Sequence, residues 1–167
     1  MTTAPDQVSP HHTARVEHDW IDHNGHMNVA WYTRAFDLGA DAFLEGLGFT
    51  HDWRDREHRT LMAVESHVVY EREAHVGDHL DVYVRMAAHD AKRIHLFCQM
   101  FDREAGHRSA TCEWMMLQVD FAERRAAAFN ADELAWLEAA AGAEGALGPL
   151  AGAGRKIDLK APLWVAS

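Results

Sequence analysis

The stretch WIDHNGHMNVAWY at residues 20–32 gathers carboxylate, imidazole and amide side chains around one glycine, immediately before a segment with helical periodicity. A helix N-terminus exposes unpaired N–H groups and a partial positive charge, which suits an oxygen that becomes negative in a transition state. Gly25 lacks a Cβ atom and lets a carbonyl approach the backbone. Asp22 can present a carboxylate to the same point. This combination predicts hydrolysis of an activated acyl group, with Asp22 either activating water or attacking the carbonyl directly.

Two other interpretations of this stretch stay open from the residues alone. Asp-x-Asn-Gly is also common turn chemistry, and Asn28 is a good N-cap for the helix that follows. The imidazole and carboxylate groups could instead hold a metal ion, because they offer nitrogen and oxygen ligands. Their spacing matches no recognised zinc motif such as HExxH, so a metal is the least favoured of the three. The candidate ligands are His18, Asp19, Asp22, His23 and His26.

The helix that positions this stretch is predicted over residues 28–47. Its apolar side chains recur every three or four residues, which is the pattern of one buried helix face. Asn28 is the predicted N-cap and Gly48 the predicted C-terminal stop. Gly39 lies in the middle of the apolar stripe, where it costs about 1 kcal/mol relative to alanine, so we infer that another element approaches the helix closely there. The stripe consists of Tyr32, Ala35, Phe36, Gly39, Ala40, Phe43 and Leu47.

A short first strand is predicted at residues 13–18, and four longer segments after the helix alternate with a period of two. These segments are 61–70, 80–88, 94–101 and 115–121, and a polar loop at 51–60 precedes them. Short connections between them predict antiparallel neighbours, and their length allows the helix to lie along a curved sheet. Several strands have apolar residues on both faces, so the sheet face that does not pack on the helix must also be covered. Another subunit is the simplest cover. The predicted fold class is therefore α+β, in a homodimer or larger oligomer.

The chain of 167 residues, with 48% apolar and 25% charged residues, has the size and composition of one globular domain. We predict a disordered tail at residues 1–12, the domain at 13–141 with a final helix at 131–141, and a Gly/Ala-rich extension at 142–167 that is flexible over residues 142–154. The net charge of −10 argues against nucleic acid as a partner. No apolar run reaches the roughly 20 residues of a membrane span and no secretion signal is recognisable, which predicts a cytoplasmic protein. Cys98 and Cys112 are predicted to be buried, reduced thiols.

The sequence resembles the hotdog-fold acyl-CoA thioesterases of the 4-hydroxybenzoyl-CoA type. The resemblance rests on DHNGHMNVAWY, the helix and the strands that follow, and the pattern D-x-N-x-H-x-N also resembles that of acyl-ACP thioesterases. Within the family, the chain is most similar to the thioesterases of carnitine breakdown, which cleave betainyl-CoA. The stretches that carry this similarity are WIDHNGHMN, AVESHVVYEREAHVGD, DAKRIHLF and EWMMLQVD. The resemblance implies a hotdog fold, in which a curved antiparallel sheet wraps a long central helix.

The resemblance also implies roles for the residues of the stretch. Asp22 takes the place of the catalytic carboxylate, and Asn24 and His26 orient it or the substrate, or hold the loop. The backbone N–H at or just after Gly25, with that of Met27, would polarise the thioester carbonyl. No metal or organic cofactor is expected, because a thioester is already activated. The active sites would lie between the subunits of a homodimer or tetramer, and coenzyme A would lie near basic side chains, with Lys92, Arg93 and Arg72 as candidates.

The acyl group is left open by the sequence. A quaternary ammonium group favours aromatic faces, and Glu65 lies in an otherwise apolar strand where its carboxylate could bind such a cation or position water. The predicted substrate-binding residues are therefore Asn28, Trp31, Glu65 and Tyr70, with Trp20, Tyr32 and Trp114 as further aromatic candidates. The same side chains would serve a pocket for a short neutral or aromatic acyl chain. A non-catalytic module that binds acyl-CoA shares this fold and is the alternative from another functional class.

Overall fold

The computed structural model of the protein describes residues 8–157, which form one curved antiparallel sheet, one long helix and two shorter helices. Most of the predicted N-terminal tail, and Trp164 in the extension, lie outside these residues. No helix among them is long and apolar enough to cross a membrane. In chain order the elements are β1 (His12–Arg15), α1 (Val29–Leu47), α2 (His51–Glu57), β2 (Arg59–Tyr70), β3 (His79–His89), β4 (Arg93–Asp102), β5 (Arg108–Asp120), β6 (Arg125–Ala126) and α3 (Ala131–Glu144).

Helix α1 confirms the predicted central helix together with both of its ends. The side chain of Asn28 accepts a hydrogen bond from the backbone N–H of Ala30, and Gly48 ends the helix at φ 119°. The predicted close approach at Gly39 is also confirmed, because a Cβ atom added there would lie 2.6 Å from Cγ1 of Val82. Val82 is a β3 residue, so the glycine lets the helix pack directly on the sheet. The helix thereby holds its N-terminus at a defined point over the sheet.

The sheet confirms the α+β prediction but not the predicted strand order. The order is β1-β3-β4-β5-β2, with β6 beside β5, so β2 pairs with β5 and not with β3, which follows it in the chain. The connection at residues 71–78 carries the chain past the start of α1, where Met27 N–H donates to Ala74 C=O at 2.7 Å. Ala74 N–H also donates to the Tyr32 hydroxyl at 3.1 Å. This crossover therefore places residues 71–74 beside the stretch that the sequence singled out.

Several element boundaries differ from the sequence predictions. The predicted polar loop at 51–60 contains α2, because Thr50 caps a helix whose Trp53 is buried. The first strand runs over His12–Arg15, and residues 18–20 form a short 3-10 helix instead of extending it to 18. The predicted tail therefore ends earlier than residue 12, since His11 N–H already donates to Val82 C=O. Strand β5 begins at Arg108 rather than 115, and α3 continues to Glu144.

The C-terminal segment 144–154 crosses the sheet face opposite α1. At one end the Arg85 guanidinium of β3 donates to the Glu144 carboxylate at 2.7 Å, and at the other Gly154 N–H donates to the Glu113 carboxylate of β5 at 2.8 Å. Phe97 of β4 pairs with Arg85 on one side and Glu113 on the other, and it is fully buried. This segment therefore has defined contacts at both of its ends, and its flexibility stays a prediction. The chain itself, not a second subunit, covers this part of the second face.

Cys98 and Cys112 face each other across β4 and β5 and are both buried free thiols, as predicted. Burial raises the pKa of Cys112 to about 12, with a smaller contribution from Glu113, and burial also raises the pKa of Cys98. Both side chains therefore stay protonated and contribute to the core as small apolar groups.

Candidate active site

The loop between the short 3-10 helix and α1 folds back on itself over residues 21–27. Asp22 N–H donates to His26 C=O at 3.0 Å, and Gly25 N–H donates to Asp22 C=O at 3.0 Å. Gly25 has a φ of 86°, a backbone conformation that an L side chain rarely adopts. The sequence folds this way because Asp-x-Asn-Gly favours a tight turn and Gly25 is the residue that closes it. The turn places Asp22 and His26 side by side, just before α1 begins.

The Asp22 carboxylate has one oxygen held by the turn and one that is free. Oδ1 accepts a hydrogen bond from Asn24 N–H at 2.8 Å and lies 4.0 Å from Nδ1 of His26. Oδ2 accepts no hydrogen bond from any residue between 8 and 157. The side chain is 16% exposed, so it is neither sealed in the core nor fully solvated. The turn interpretation and the catalytic interpretation are therefore compatible, because one oxygen serves each.

The two backbone amides named from the sequence are already hydrogen bonded. Gly25 N–H is used within the turn, and Met27 N–H donates to Ala74 C=O, so neither is available to a negatively charged oxygen in this conformation. The predicted assignment to Gly25 and Met27 is corrected accordingly. Within the described chain, the N–H groups of His26 and Val29 have no acceptor. Both residues line the same cleft at the positive end of α1, where an oxyanion is favoured.

A cleft of about 370 Å³ lies beside this loop and is bounded by the crossover connection. One wall is aromatic: the rings of Tyr32 and Tyr70 meet edge to face with centroids 5.2 Å apart. Tyr32 is buried and its hydroxyl accepts from Ala74 N–H, whereas Tyr70 is 47% exposed. Burial is the main cause that raises the pKa of both tyrosines, so both remain neutral. The cleft is lined by His26, Met27, Val29, Tyr32, Tyr70, Glu71, Arg72 and Glu73.

Other predicted site residues do not reach this cleft. Asn28 caps α1 with its side chain, and Asn24 is exposed and uses its backbone N–H in the turn. Trp31 stacks on Trp20 with centroids 4.6 Å apart and nearly parallel rings, so each covers one face of the other. Trp114 is buried in the core. The five aromatic candidates therefore do not converge, and only Tyr32 and Tyr70 line the cleft.

Glu65, Lys92 and Arg93 also lie elsewhere within one chain. Glu65 is exposed on β2 and lines two other surface depressions. Arg93 is paired with Asp90, and hydrogen bonding from Arg93 is the main cause that lowers the pKa of Asp90 to about 2.

The residue pairing along strand β5 shows how far the turn with Lys92 and Arg93 lies from the cleft. Arg93 pairs with Leu117 across the β4–β5 ladder, whereas Tyr70 pairs with Ala110 across the β2–β5 ladder, which separates them by about 23 Å along β5. The turn with Lys92 and Arg93 is thus at the far end of the sheet. Arg72, the third basic candidate, lines the cleft.

Two cleft residues were missed by the sequence analysis, Glu71 and Glu73. Glu71 is bound by the Arg108 guanidinium at 2.7 and 3.1 Å, which neutralises it. Among residues 8–157, Glu73 has two distant imidazole neighbours, those of His26 and His75, each 3.9 Å away. Their placement depends on the crossover to Ala74, which no local sequence pattern indicates.

The described residues contain no group of three or more His, Cys, Asp or Glu side chains that could hold a metal ion. Asp22 is not itself among the residues that line the cleft, but its neighbour His26 is, with Nδ1 4.0 Å from Asp22 Oδ1. The loop therefore brings one unpaired carboxylate oxygen next to a cleft whose lining residues His26 and Val29 have free N–H groups that can receive developing negative charge. This arrangement can promote attack on a bound carbonyl, either through water or by the carboxylate itself.

This chain is similar to one protein family and to several known proteins. A profile of the thioesterase-like superfamily matches residues 16–137. A betainyl-CoA thioesterase of Pseudomonas aeruginosa is 33% identical over 141 residues, which cover 84% of this chain and 89% of the relative. An L-carnitine dehydrogenase/betainyl-CoA thioesterase of Rhizobium meliloti is 32% identical over 87% of this chain, which corresponds to only 29% of that protein. A solved Staphylococcus aureus structure, of a hypothetical protein in complex with CoA, has a TM-score of 0.81 and 28% identity, covering 89% of this chain and 94% of the other.

Proposed function

Because this chain belongs to the thioesterase-like superfamily, we propose that its Asp22 cleft hydrolyses a small acyl-CoA thioester to the free acid and coenzyme A, with betainyl-CoA as the substrate. The observation that carries the proposal is the free Oδ2 of Asp22 on the loop before α1, the same loop that carries the unpaired N–H of His26 and leads to the unpaired N–H of Val29. A thioester needs no further activation, so the proposed reaction uses no metal or organic cofactor.

The chemistry follows from the position of each group. The thioester carbonyl oxygen would receive hydrogen bonds from the N–H groups of His26 and Val29, aided by the helix dipole. Asp22 Oδ2 would either take a proton from an attacking water or attack the carbonyl carbon itself. In both routes the C–S bond breaks, the thiolate leaves and takes up a proton, and one water molecule is consumed overall. The hydrogen bond from Asn24 N–H keeps the carboxylate oriented in either route.

The choice of betainyl-CoA is supported by the relatives. The Pseudomonas aeruginosa relative carries that name and aligns over most of both chains. The CoA complex of the Staphylococcus aureus neighbour supports a coenzyme A ester as the ligand class. For coenzyme A itself, Arg72 is the basic residue beside the cleft, whereas Lys92 and Arg93 could contribute only from the far end of the sheet or from another subunit.

A panel of coenzyme A esters tests this proposal. Free thiol release should be measured with betainyl-CoA, 4-hydroxybenzoyl-CoA and short- and medium-chain acyl-CoA. We expect turnover, with the highest kcat/KM for betainyl-CoA. A higher kcat/KM for a neutral or aromatic ester would replace the substrate but keep the activity. Stoichiometric binding of these esters without any thiol release would contradict the proposed hydrolysis and favour an acyl-CoA-binding module.

We also expect a homodimer or tetramer, formed through the edge of β2. This 12-residue strand pairs with β5 on one side, and within residues 8–157 no strand pairs with its other side. Met62 and Val64 on this strand are 44% and 54% exposed. Long unprotected edges favour pairing with a second copy, and two β2 strands related by a two-fold axis would run antiparallel. The start of the partner's β2 would then lie near Tyr70 and help to enclose the cleft.

Sedimentation velocity at micromolar concentration measures this assembly. The wild-type protein should sediment as a dimer or tetramer. A Val64→Lys substitution should shift it towards the monomer, because charge on an edge strand opposes pairing. A wild-type monomer at these concentrations would contradict the proposed interface.

A further inference from the structure

The cleft beside Asp22 has an aromatic wall whose position is fixed from two sides. Tyr70 is held edge to face against Tyr32, and Tyr32 is itself held by hydrogen bonds to the backbone of Arg72 and Ala74. Tyr70 is nevertheless 47% exposed, so this rigid ring still offers surface to a ligand. An aromatic face attracts a cation through its quadrupole, most strongly when the cation loses its water shell.

The charges around the cleft leave an excess of one negative charge. Glu71 is neutralised by its two hydrogen bonds from Arg108. The remaining groups are two carboxylates, Asp22 and Glu73, and one guanidinium, Arg72, whose side chain has no acidic partner in the described chain. Because Glu73 is 66% exposed and only distantly approached by imidazoles, its charge remains available to a ligand. An acyl group with one positive charge matches this balance.

The other aromatic and acidic candidates are less well placed to bind a cation. Trp20 and Trp31 cover each other by stacking, which removes one face of each ring from any cage. Glu65 lies on β2 away from the cleft that contains His26 and Tyr70. Glu73, by contrast, is 3.9 Å from the imidazole of His26, which in turn neighbours Asp22. A cation near Glu73 would therefore be within a short acyl chain's length of the reacting carboxylate.

We propose that Tyr70 and Glu73 select the acyl group, with the Tyr70 ring and the Glu73 carboxylate receiving a trimethylammonium group two bonds from the thioester carbonyl. This inference rests on the proposed function, because it names which part of the cleft recognises the acyl end of the substrate. It assigns to Glu73 a role in specificity and none in bond breaking. The cation would displace water from the exposed tyrosine face while keeping the carboxylate as its counter-charge.

A pair of esters that differ only in charge tests the inference. Betainyl-CoA carries a trimethylammonium group, and 3,3-dimethylbutyryl-CoA has the same shape with carbon in place of nitrogen. The wild-type protein should prefer the cationic ester in kcat/KM. In Glu73→Gln we expect kcat/KM for betainyl-CoA to fall about two- to fivefold, the range for loss of an exposed ion pair, while that for the neutral ester stays nearly unchanged. Tyr70→Leu should likewise reduce the preference for the cationic ester over the neutral ester.

A matched control removes the same charge elsewhere. Glu138→Gln changes an exposed glutamate of α3, with similar exposure and an imidazole neighbour, outside the cleft, and should leave the ratio of the two esters unchanged. Equal losses for both esters in Glu73→Gln, or no change in their ratio, would overturn the inference. If the wild-type protein cleaves both esters equally well, hydrolysis stands and the selection by charge fails. If it cleaves neither, the proposed function fails together with the inference.

Discussion

Asp22→Asn is expected to lower kcat for thioester hydrolysis by about 100- to 10,000-fold, the range typical for loss of a positioned acid–base group. An asparagine keeps the shape of the side chain, and its carbonyl oxygen can still accept the hydrogen bond from Asn24 N–H that closes the turn. The substitution therefore removes the negative charge and basicity of Oδ2 while preserving the loop. KM should change little, because the carboxylate acts on the carbonyl in the transition state and not on the bulk of the substrate.

The control for this substitution is Asp19→Asn. Asp19 lies in the short 3-10 helix that precedes the loop, is exposed, and, unlike Asp22, has no ion pair with the cleft residue His26 in the described chain. Its removal changes the net charge by the same amount and should leave free thiol release near the wild-type rate. An Asp22→Asn protein that is folded by circular dichroism and releases thiol at the wild-type rate would refute the assigned role of Asp22.

Glu133→Ala is expected to lower the free energy of unfolding by about 3 to 5 kcal/mol, because it empties the centre of a buried polar network. The Glu133 side chain is 0% exposed. One carboxylate oxygen accepts from the indole N–H of Trp53 at 2.8 Å, and the other accepts from the Gln118 amide at 3.1 Å and from Asn130 N–H at 2.8 Å. One side chain thus joins α2, β5 and the start of α3, and its loss leaves buried donors without acceptors.

Urea unfolding followed by tryptophan fluorescence measures this effect, with Glu138→Ala as the comparison. Glu138 is on the same helix but 72% exposed, so its removal should change stability by no more than about 0.5 kcal/mol. Equal stabilities for the two variants would show that the network around Glu133 contributes little. A large loss for Glu133 alone supports it as the link between the sheet and both short helices.

The parts of the fold that were predictable have local signals. Asn28 and Gly48 bracket α1 because a cap and a left-handed glycine act on their own turn of helix. The resulting helix, wrapped by an antiparallel sheet, together with the family match, confirms the predicted hotdog fold. The sequence did not predict helix α2, because most of its residues are charged and Trp53 alone is buried. Thr50, three residues before Trp53, is nevertheless a cap signal.

The strand order could not be read from alternation. A period of two identifies a strand at residues 59–70 but says nothing about which strand lies beside it. The pairing of β2 with β5 depends on the crossover at Ala74, which packs against Met27 and Tyr32. The cover over Phe97 depends in the same way on contacts between Arg85 and residues far along the chain.

The candidate site also has parts that the sequence predicted and parts that it did not. The turn at Asp22 and its position before α1 follow from neighbouring residues and were foreseen. Of the predicted amides, the one just after Gly25, that of His26, remains free, whereas that of Met27 does not, because Met27 N–H is used by Ala74 from a distant segment. Glu73 reaches the cleft through that same segment, while Glu65, which stood out as a charge in an apolar strand, is exposed elsewhere.

The most direct test of the reaction site is a crystal structure with a non-hydrolysable ketone analogue of betainyl-CoA, in which a CH2 group replaces the thioester sulfur. We expect the carbonyl carbon about 3 to 3.5 Å from Oδ2 of Asp22, or one water molecule further away, with the carbonyl oxygen directed at the amides of His26 and Val29. An analogue bound with its carbonyl in another cleft, out of reach of Asp22 in either subunit, would contradict the proposed reaction site.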